Sequence, residues 1–316
     1  MKIRSVCVIG GSGFLGSHVV RQLAQRGMQV RVPTRHRERA KHLIVLPTAE
    51  VVNADVHDVR TLETLISNVD AVINLAGILH ERRKAEFTRA HVDLPRKIAE
   101  AARNQGTKRL IHVSALKASE NGASAYLRSK AAGEREIREG QKAGIRTTIF
   151  RPSIIFGQED RLLNLFAGLL RMFPLMPLAC ASARLQPIWV EDVAHAIVAS
   201  LEMTECFDTR FDLCGPRVYS LRGLVEYVGA VIGKDPRIFA LNRPMSYLQA
   251  WAMEMLPGRL MTRDNYCSLL TDNTCNADFP SIFGRQPATM ESVVPQYLAG
   301  RTSRARYRWF RNRAAR

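Results

Sequence analysis

A run of glycines constrains this chain more than any other feature. Gly10-Gly11-Ser12-Gly13-Phe14-Leu15-Gly16 lies between an apolar stretch, residues 5–11, and a helical pattern, residues 14–27, that closes on Gly27. Three of the glycines fall at a G-x-x-G-x-x-G spacing. Without Cβ atoms the backbone can turn sharply and run close to whatever lies above it. Further apolar, β-branched runs follow at residues 29–35, 49–56, 69–77, 108–115 and 145–153. Helical patterns of roughly 10–15 residues separate most of them, the rhythm of a parallel sheet with covering helices.

The expected fold class is therefore α/β, a Rossmann doubly wound parallel sheet with a smaller carboxy-terminal lobe. The sheet domain is expected over 1–160, with 184–216 returning to it. Most of 161–300 leaves the alternating pattern and forms the second lobe, and 301–316 is a basic tail.

A glycine loop at the first strand-to-helix turn of such a sheet points to a dinucleotide. The backbone approaches the pyrophosphate, and the helix offers free N–H groups and the positive end of its dipole. Gly10, Ser12, Gly13, Phe14, Leu15 and Gly16 are the residues placed there. The second strand bears on which dinucleotide. An acid at its end would receive a ribose 2′-hydroxyl. Here the chain reads Thr34-Arg35, with Arg37 and Arg39 following. A guanidinium grips a 2′-phosphate that an acid would repel. NADP(H) is preferred on this ground, with NAD(H) as the alternative. Asp55 and Val56 are expected beside the adenine. Leu75, Ala76 and Gly77, after the fourth strand, are expected to line the cofactor groove.

Tyr126 and Lys130 stand one helical turn apart, so they face the same way. Gly133 and Ile137 continue their stripe, and the missing side chain of Gly133 would allow close packing. Ser114 ends the fifth strand, twelve residues before Tyr126. Strand ends of a doubly wound sheet open on the cofactor crevice. Serine, tyrosine and lysine can thus converge there. The hydroxyl would hold a carbonyl or alcohol, and the phenol would exchange a proton. The ammonium would favour the phenolate and bind a ribose. The plainer alternative is a pair of helix-surface residues.

The composition, 46% hydrophobic and 24% charged, is that of a globular chain. Six scattered cysteines include no C-x-x-C pair, so neither zinc nor a redox dithiol is indicated, and a reducing, cytoplasmic setting is expected. Residues 5–13 already read as a strand entering a loop, so no leader is expected. Residues 162–183 are apolar but broken by Arg171, Pro174 and Pro177, which argues against a spanning helix. No cluster has metal-ligand spacing. The net charge is +17, and seven arginines fall in the last sixteen residues. With Tyr307, Trp309 and Phe310 among them, this tail is expected to meet anionic lipid, at the inner face of the cytoplasmic membrane, or an acidic membrane subunit. The bland alternative is a solvated tail. Nucleic acid is disfavoured, because no aromatic–basic face or RNA motif accompanies the charge. The Met-rich segment 245–261 reads as a core helix or, alternatively, as a soft apolar surface.

These blocks together resemble the short-chain dehydrogenase/reductase superfamily in its longer, epimerase/dehydratase-like form. Residues 186–201 resemble its strand-to-helix element with an acidic pair, Glu191-Asp192. Residues 151–157, with Pro152 and Ser153, resemble the loop that passes the nicotinamide. Residues 110–119, 125–134, 151–167 and 261–273 resemble more narrowly the atypical branch that contains the nucleotide-binding accessory subunit of mitochondrial respiratory complex I. That resemblance implies tightly held NADPH and a structural or assembly role beside a respiratory membrane complex. Intact Tyr126 and Lys130 imply the other outcome, an NADPH-dependent oxidoreductase acting on an apolar carbonyl or quinone-like molecule. One departure stands out. His91 occupies the region where such enzymes carry a relay asparagine.

Overall fold

The computed structural model describes residues 2–142, 144–256 and 259–299. The arginine-rich segment 301–316, expected to meet lipid, lies outside the described residues. The chain divides into two compact units. The first comprises Met1–Pro152, Val190–Leu213 and Pro280–Arg285, and the second comprises Ser153–Trp189, Cys214–Phe279 and the chain from Gln286.

The first unit is built on seven strands: β1 (Ser5–Ile9), β2 (Gln29–Thr34), β3 (Ala49–Asn53), β4 (Ala71–Asn74), β5 (Arg109–Val113), β6 (Arg146–Pro152) and β7 (Thr209–Leu213). Their order is β7-β6-β5-β4-β1-β2-β3, and every pairing is parallel. Central strands of such a sheet are covered on both faces and read as unbroken apolar runs. Every residue of β4 and β5 is buried, whereas the edge strand β3 has none buried. The order reverses between β1 and β4. There the crossovers leave in opposite directions, and a crevice opens beyond the strands' carboxyl ends.

Five longer helices join these strands: α1 (Phe14–Gln25), α2 (Val59–Ile66), α3 (Leu94–Asn104), α4 (Ala125–Lys142) and α5 (Val190–Ala199). Gly27, at φ +73°, lets the chain leave α1 for β2. Asp58 caps α2 by accepting the Thr61 N–H at 2.8 Å. Leu62, Leu65, Ile66, Leu94, Ile98 and Ile137 pack with β-strand residues Cys7, Ile9, Val72 and Leu110 in one buried cluster. Each fully buried aliphatic side chain stabilises by about 1.5–3 kcal/mol.

Two ion pairs to buried carboxylates brace the first unit. Glu134 on α4 takes a two-pronged bond from Arg151 on β6, at 2.6 and 2.7 Å. Arg285 reaches Asp192 of α5 at 2.7 Å. Such pairs fix geometry, since removal of one partner strands a buried charge.

In the second unit, helices Leu162–Met172 and Leu221–Val231 share a core of Leu163, Phe166, Leu170, Leu224, Val225 and Val228. A short parallel pair, Leu175–Leu178 with Arg237–Ala240, lies beyond them. Cys214 and Cys275 are joined as a disulfide across a separation of 61 residues. The C-x-x-C test applied to the sequence does not reach a pair this far apart. Spacing along the chain tests only local pairs, and this bond is made by tertiary approach. No helix among the described residues is long and apolar enough to cross a membrane.

Candidate functional site

The glycine loop sits at the switch point of the sheet. Gly10 has φ +82°, and a Cβ there would lie 2.9 Å from both Ala76 N and the Leu75 carbonyl carbon. The loop after β1 and the loop after β4 are therefore in backbone contact. A Cβ on Gly16 would stand 2.2 Å from Gly10 O, so α1 can begin this close only with glycine. Gly13 caps α1 with extended backbone and no side-chain bond, which leaves the first-turn N–H groups of Phe14 and Leu15 to a ligand. Ser12 Oγ donates to Thr34 Oγ1 at 3.4 Å, which ties the loop to the end of β2.

Arg35, next in the chain, is exposed, as is Asp55. Asp55 Oδ1 accepts the His57 N–H at 3.0 Å and shapes the turn after β3, where Val56 is partly buried. The His57 imidazole is held below its usual range by burial first, then by Arg89, with Lys97 and Arg35 adding to the effect and Asp55 opposing it. Arg35 thus belongs to a cationic group with Arg89 and Lys97. Nothing in the sequence marked those two, because they arrive from a different crossover. Lys97 Nζ also donates to the His57 carbonyl at 2.7 Å.

Asn74, at the end of β4, is buried and turned inward. Its Oδ1 accepts the Ala76 N–H at 3.1 Å, and its amide nitrogen meets His112 Nδ1 at 3.1 Å. The amide can only donate there, so the His112 proton belongs on Nε2. Burial holds His112 well below its ordinary range, followed by Lys130 and His91. Asn74 and His112 set the course of Leu75-Ala76-Gly77 from beneath.

Ser114, Tyr126 and Lys130 are brought to one neighbourhood. Lys130 is buried, and its Nζ donates to the Val113 carbonyl at 2.8 Å, beside Ser114. A Cβ on Gly77 would lie 3.7 Å from the same Nζ and 3.5 Å from His91 Nε2. The Ser114 N–H is used by Phe150 O at 2.7 Å, while its buried Oγ has no hydrogen-bond partner. A buried hydroxyl left this way carries a desolvation cost of about 1–3 kcal/mol, which a ligand oxygen would offset.

Tyr126 is partly buried, with its ring edge-on to His91 at 5.6 Å and to Phe87 at 6.0 Å. Burial pushes the phenol up to about 12, and burial lowers the Lys130 ammonium to about 8 against an opposing pull from Glu134. The expected lowering of the phenol by its neighbour is not found in the free protein. Desolvation acts on Tyr126, and the bond from Lys130 goes to a backbone carbonyl.

His91 lies in a π-type turn, Arg89–Asp93, directly before α3. Its Nε2 accepts the Ile78 N–H at 3.0 Å, and Nδ1 meets Ser129 Oγ at 2.8 Å. Both nitrogens are occupied, and burial, then Lys130, pushes the ring down to about 3. His91, which stands where related enzymes carry a relay asparagine, is here a neutral strut between the Ile78 N–H and Ser129. Pro152 is buried at the end of β6, where its carbonyl accepts the Leu116 N–H at 3.0 Å. Ser153 opens the second unit, and its Oγ is engaged by Asn273 Oδ1 at 2.6 Å. Among the described residues no group of His, Cys, Asp and Glu could hold a metal ion.

The residues fit a nicotinamide dinucleotide on these observations: a turn that Cβ atoms would fill, uncapped N–H groups, and an orphan hydroxyl beside a buried ammonium. Comparison with known proteins agrees. The model of the NAD dependent epimerase/dehydratase family matches residues 6–211. The chain is 33% identical to mitochondrial NADH dehydrogenase [ubiquinone] 1 alpha subcomplex subunit 9 of Mus musculus, over 96% of this chain and 81% of that protein. It is 35% identical to a ceramide reductase of Caulobacter vibrioides, over 76% of this chain and 74% of that one. The solved dTDP-glucose 4,6-dehydratase DesIV of Streptomyces venezuelae superposes with TM-score 0.73 at 20% identity, covering 98% of this chain and 97% of that chain, a likeness of fold.

Proposed function

Because the chain belongs to the NAD dependent epimerase/dehydratase family, we propose that it is an NADP(H)-dependent reductase of an apolar carbonyl compound, lipid- or quinone-like in character. The observation that carries this is the buried, unpartnered Ser114 Oγ beside the buried Lys130 ammonium. The free hydroxyl is placed to receive a substrate oxygen, which a protein that only holds the dinucleotide does not need. Reduction needs a proton, and the Tyr126 phenol, which burial pushes up to about 12, carries one at neutral pH.

Gly10, Gly13, Gly16 and the first turn of α1 would hold the pyrophosphate, Arg35 would take the ribose 2′-phosphate, and Leu75 to Gly77 would line the groove. When bound, the reduced nicotinamide supplies a hydride to the carbonyl carbon. Ser114 Oγ holds the carbonyl oxygen, and Tyr126 delivers a proton to it, leaving an alcohol. Lys130, one turn along α4, would have to turn from the Val113 carbonyl to offset the phenolate, whose proton solvent restores. The apolar character of the substrate is supported by the name of the Caulobacter relative, a reductase of ceramide.

A second reading has its own support. The match to a mitochondrial respiratory subunit runs over 96% of the chain. On that reading the dinucleotide is held without turnover and braces a respiratory assembly. One experiment separates the two. The purified protein is loaded with NADPH and mixed with long-chain ketones, ceramide precursors and ubiquinone analogues, and absorbance of the reduced cofactor is followed. Turnover that falls roughly 10²–10⁴-fold in Tyr126→Phe, with dinucleotide still bound, supports the reductase. Retained NADPH with no oxidation by any of them supports the structural role.

A further inference from the structure

Helix Arg243–Met255, in the second unit, is turned inside out. Met245, Leu248, Trp251, Ala252 and Met255 recur at the three-to-four spacing that gathers residues on one face of a helix. In a globular protein that face goes inward. Here Leu248 is 60% exposed, Trp251 45% and Met255 72%. The residues it buries are Ser246 and Ala250. The helix is held by polar bonds and its small side. Asn242 Oδ1 caps it through the Met245 N–H at 3.0 Å, and Ser246 Oγ donates to the Leu241 carbonyl at 3.2 Å. Gln249 bridges to the strand Leu175–Leu178, giving its amide to Pro177 O at 2.8 Å and accepting the Ala179 N–H at 3.1 Å. Packing at the small face is therefore complete, and the apolar face is left over.

Gln249 also sets the helix beside the two-stranded sheet, where Leu175 is paired with Arg237 and Pro177 with Phe239. Leu175, Pro177, Arg237 and Phe239 are all exposed. The charge along this stretch is one-sided. Between Ile232 and Met253 the chain carries Lys234, Arg237 and Arg243 against one acid, Asp235. All three cations are exposed and have no acidic partner among the described residues. Glu254, the next acid, is already taken by Arg263 at 2.9 Å.

We propose that helix Arg243–Met255 docks this protein on an anionic lipid bilayer, lying in the plane of the interface with Leu248, Trp251 and Met255 among the acyl chains and Lys234, Arg237 and Arg243 at the headgroups. A large apolar face under a rim of unpaired cations is the chemistry of an interfacial helix. An indole at its centre suits the boundary between headgroup and hydrocarbon. A second copy of this chain would bring the same cations together, which disfavours self-association. The docking is independent of whether the dinucleotide is turned over, and it differs from attachment by the arginine-rich carboxy-terminal segment.

The test uses the full chain with vesicles of phosphatidylglycerol and phosphatidylethanolamine carrying bromine on the acyl chains. The sequence holds three tryptophans, Trp189, Trp251 and Trp309. At high salt, where purely electrostatic attachment is screened, quenching of the wild-type fluorescence is expected, and its loss in Trp251→Phe. The double variant Leu248→Asp, Met255→Asp should float with vesicles at least tenfold less, at an unchanged thermal midpoint because both side chains are exposed. Equal quenching in Trp251→Phe would overturn the proposal. So would undiminished flotation of the double variant, or a lipid-indifferent dimer that the same two changes dissociate.

Discussion

His91 Nδ1 stands 2.8 Å from Ser129 Oγ, and that hydroxyl donates onward to the Tyr126 carbonyl at 2.8 Å. With Nε2 accepting the Ile78 N–H, the neutral ring clamps the start of α4 to the loop after β4. The clamp has a pH signature. The ring titrates near 6.5 when unfolded and is pushed down to about 3 when folded. Between those values the unfolded chain takes up a proton that the native chain refuses. Stability is therefore fully present above about pH 6.5 and falls as the pH drops toward 3. His112, also lowered by burial, acts in the same direction. Urea unfolding from pH 7 to pH 4 should show this decline. His91→Gln, which cannot take the proton, should reduce the slope by up to about 1.4 kcal/mol per pH unit. Parallel curves for the two proteins would show that the ring is not buried neutral.

Close packing at α4 depends on a missing side chain. A Cβ on Gly133 would lie 1.9 Å from the His91 carbonyl oxygen, a backbone atom that cannot swing aside. Gly133→Ala is expected to cost about 3 kcal/mol or to prevent folding. Gly168, within helix Leu162–Met172, has open space where its Cβ would go. There alanine should add roughly 0.5–1 kcal/mol. Thermal midpoints of the two variants should move in opposite directions, and a shared direction would contradict the helix contacts.

Arg35 is expected to set cofactor choice. Titration of the protein with NADPH and NADH should show tighter binding of the phosphorylated form. Arg35→Ala should weaken NADPH by roughly 10–100-fold, the scale of a charge-assisted bond to phosphate, and leave NADH nearly unchanged. Equal losses would transfer the preference to Arg89 or Lys97, which share its neighbourhood.

Lys130 should make dinucleotide affinity fall with rising pH. Burial brings its ammonium down to about 8, so the positive charge offered to the ligand is present below that pH and lost above it. Binding measured by calorimetry from pH 6.5 to 9.5 should weaken through about 8, and the weakening should be absent in Lys130→Met. A pH-independent wild type would mean that the charge does not face the ligand.

The sequence by itself determined the layer architecture. Strands such as Cys7–Ile9 and Ala71–Ile73 are apolar without a break, because both sides of a central parallel strand are covered. The glycines at 10, 13 and 16 were legible for a local reason: a tight strand-to-helix turn needs their missing side chains. The spacing of Tyr126 and Lys130 was legible for the same reason, as one turn of one helix. Only the tertiary structure decided what those side chains meet. The pull of Lys130 on Tyr126 could not be weighed without knowing that Nζ bonds to the Val113 carbonyl and that the phenol is desolvated. The role of His91 turned on Ile78 and Ser129, thirteen residues before it and thirty-eight after it. The Cys214–Cys275 bond spans 61 residues and has no local signal. Helix Arg243–Met255 shows the limit most clearly. Its periodicity reveals an apolar face, but periodicity is blind to what covers that face, and the fold left it uncovered.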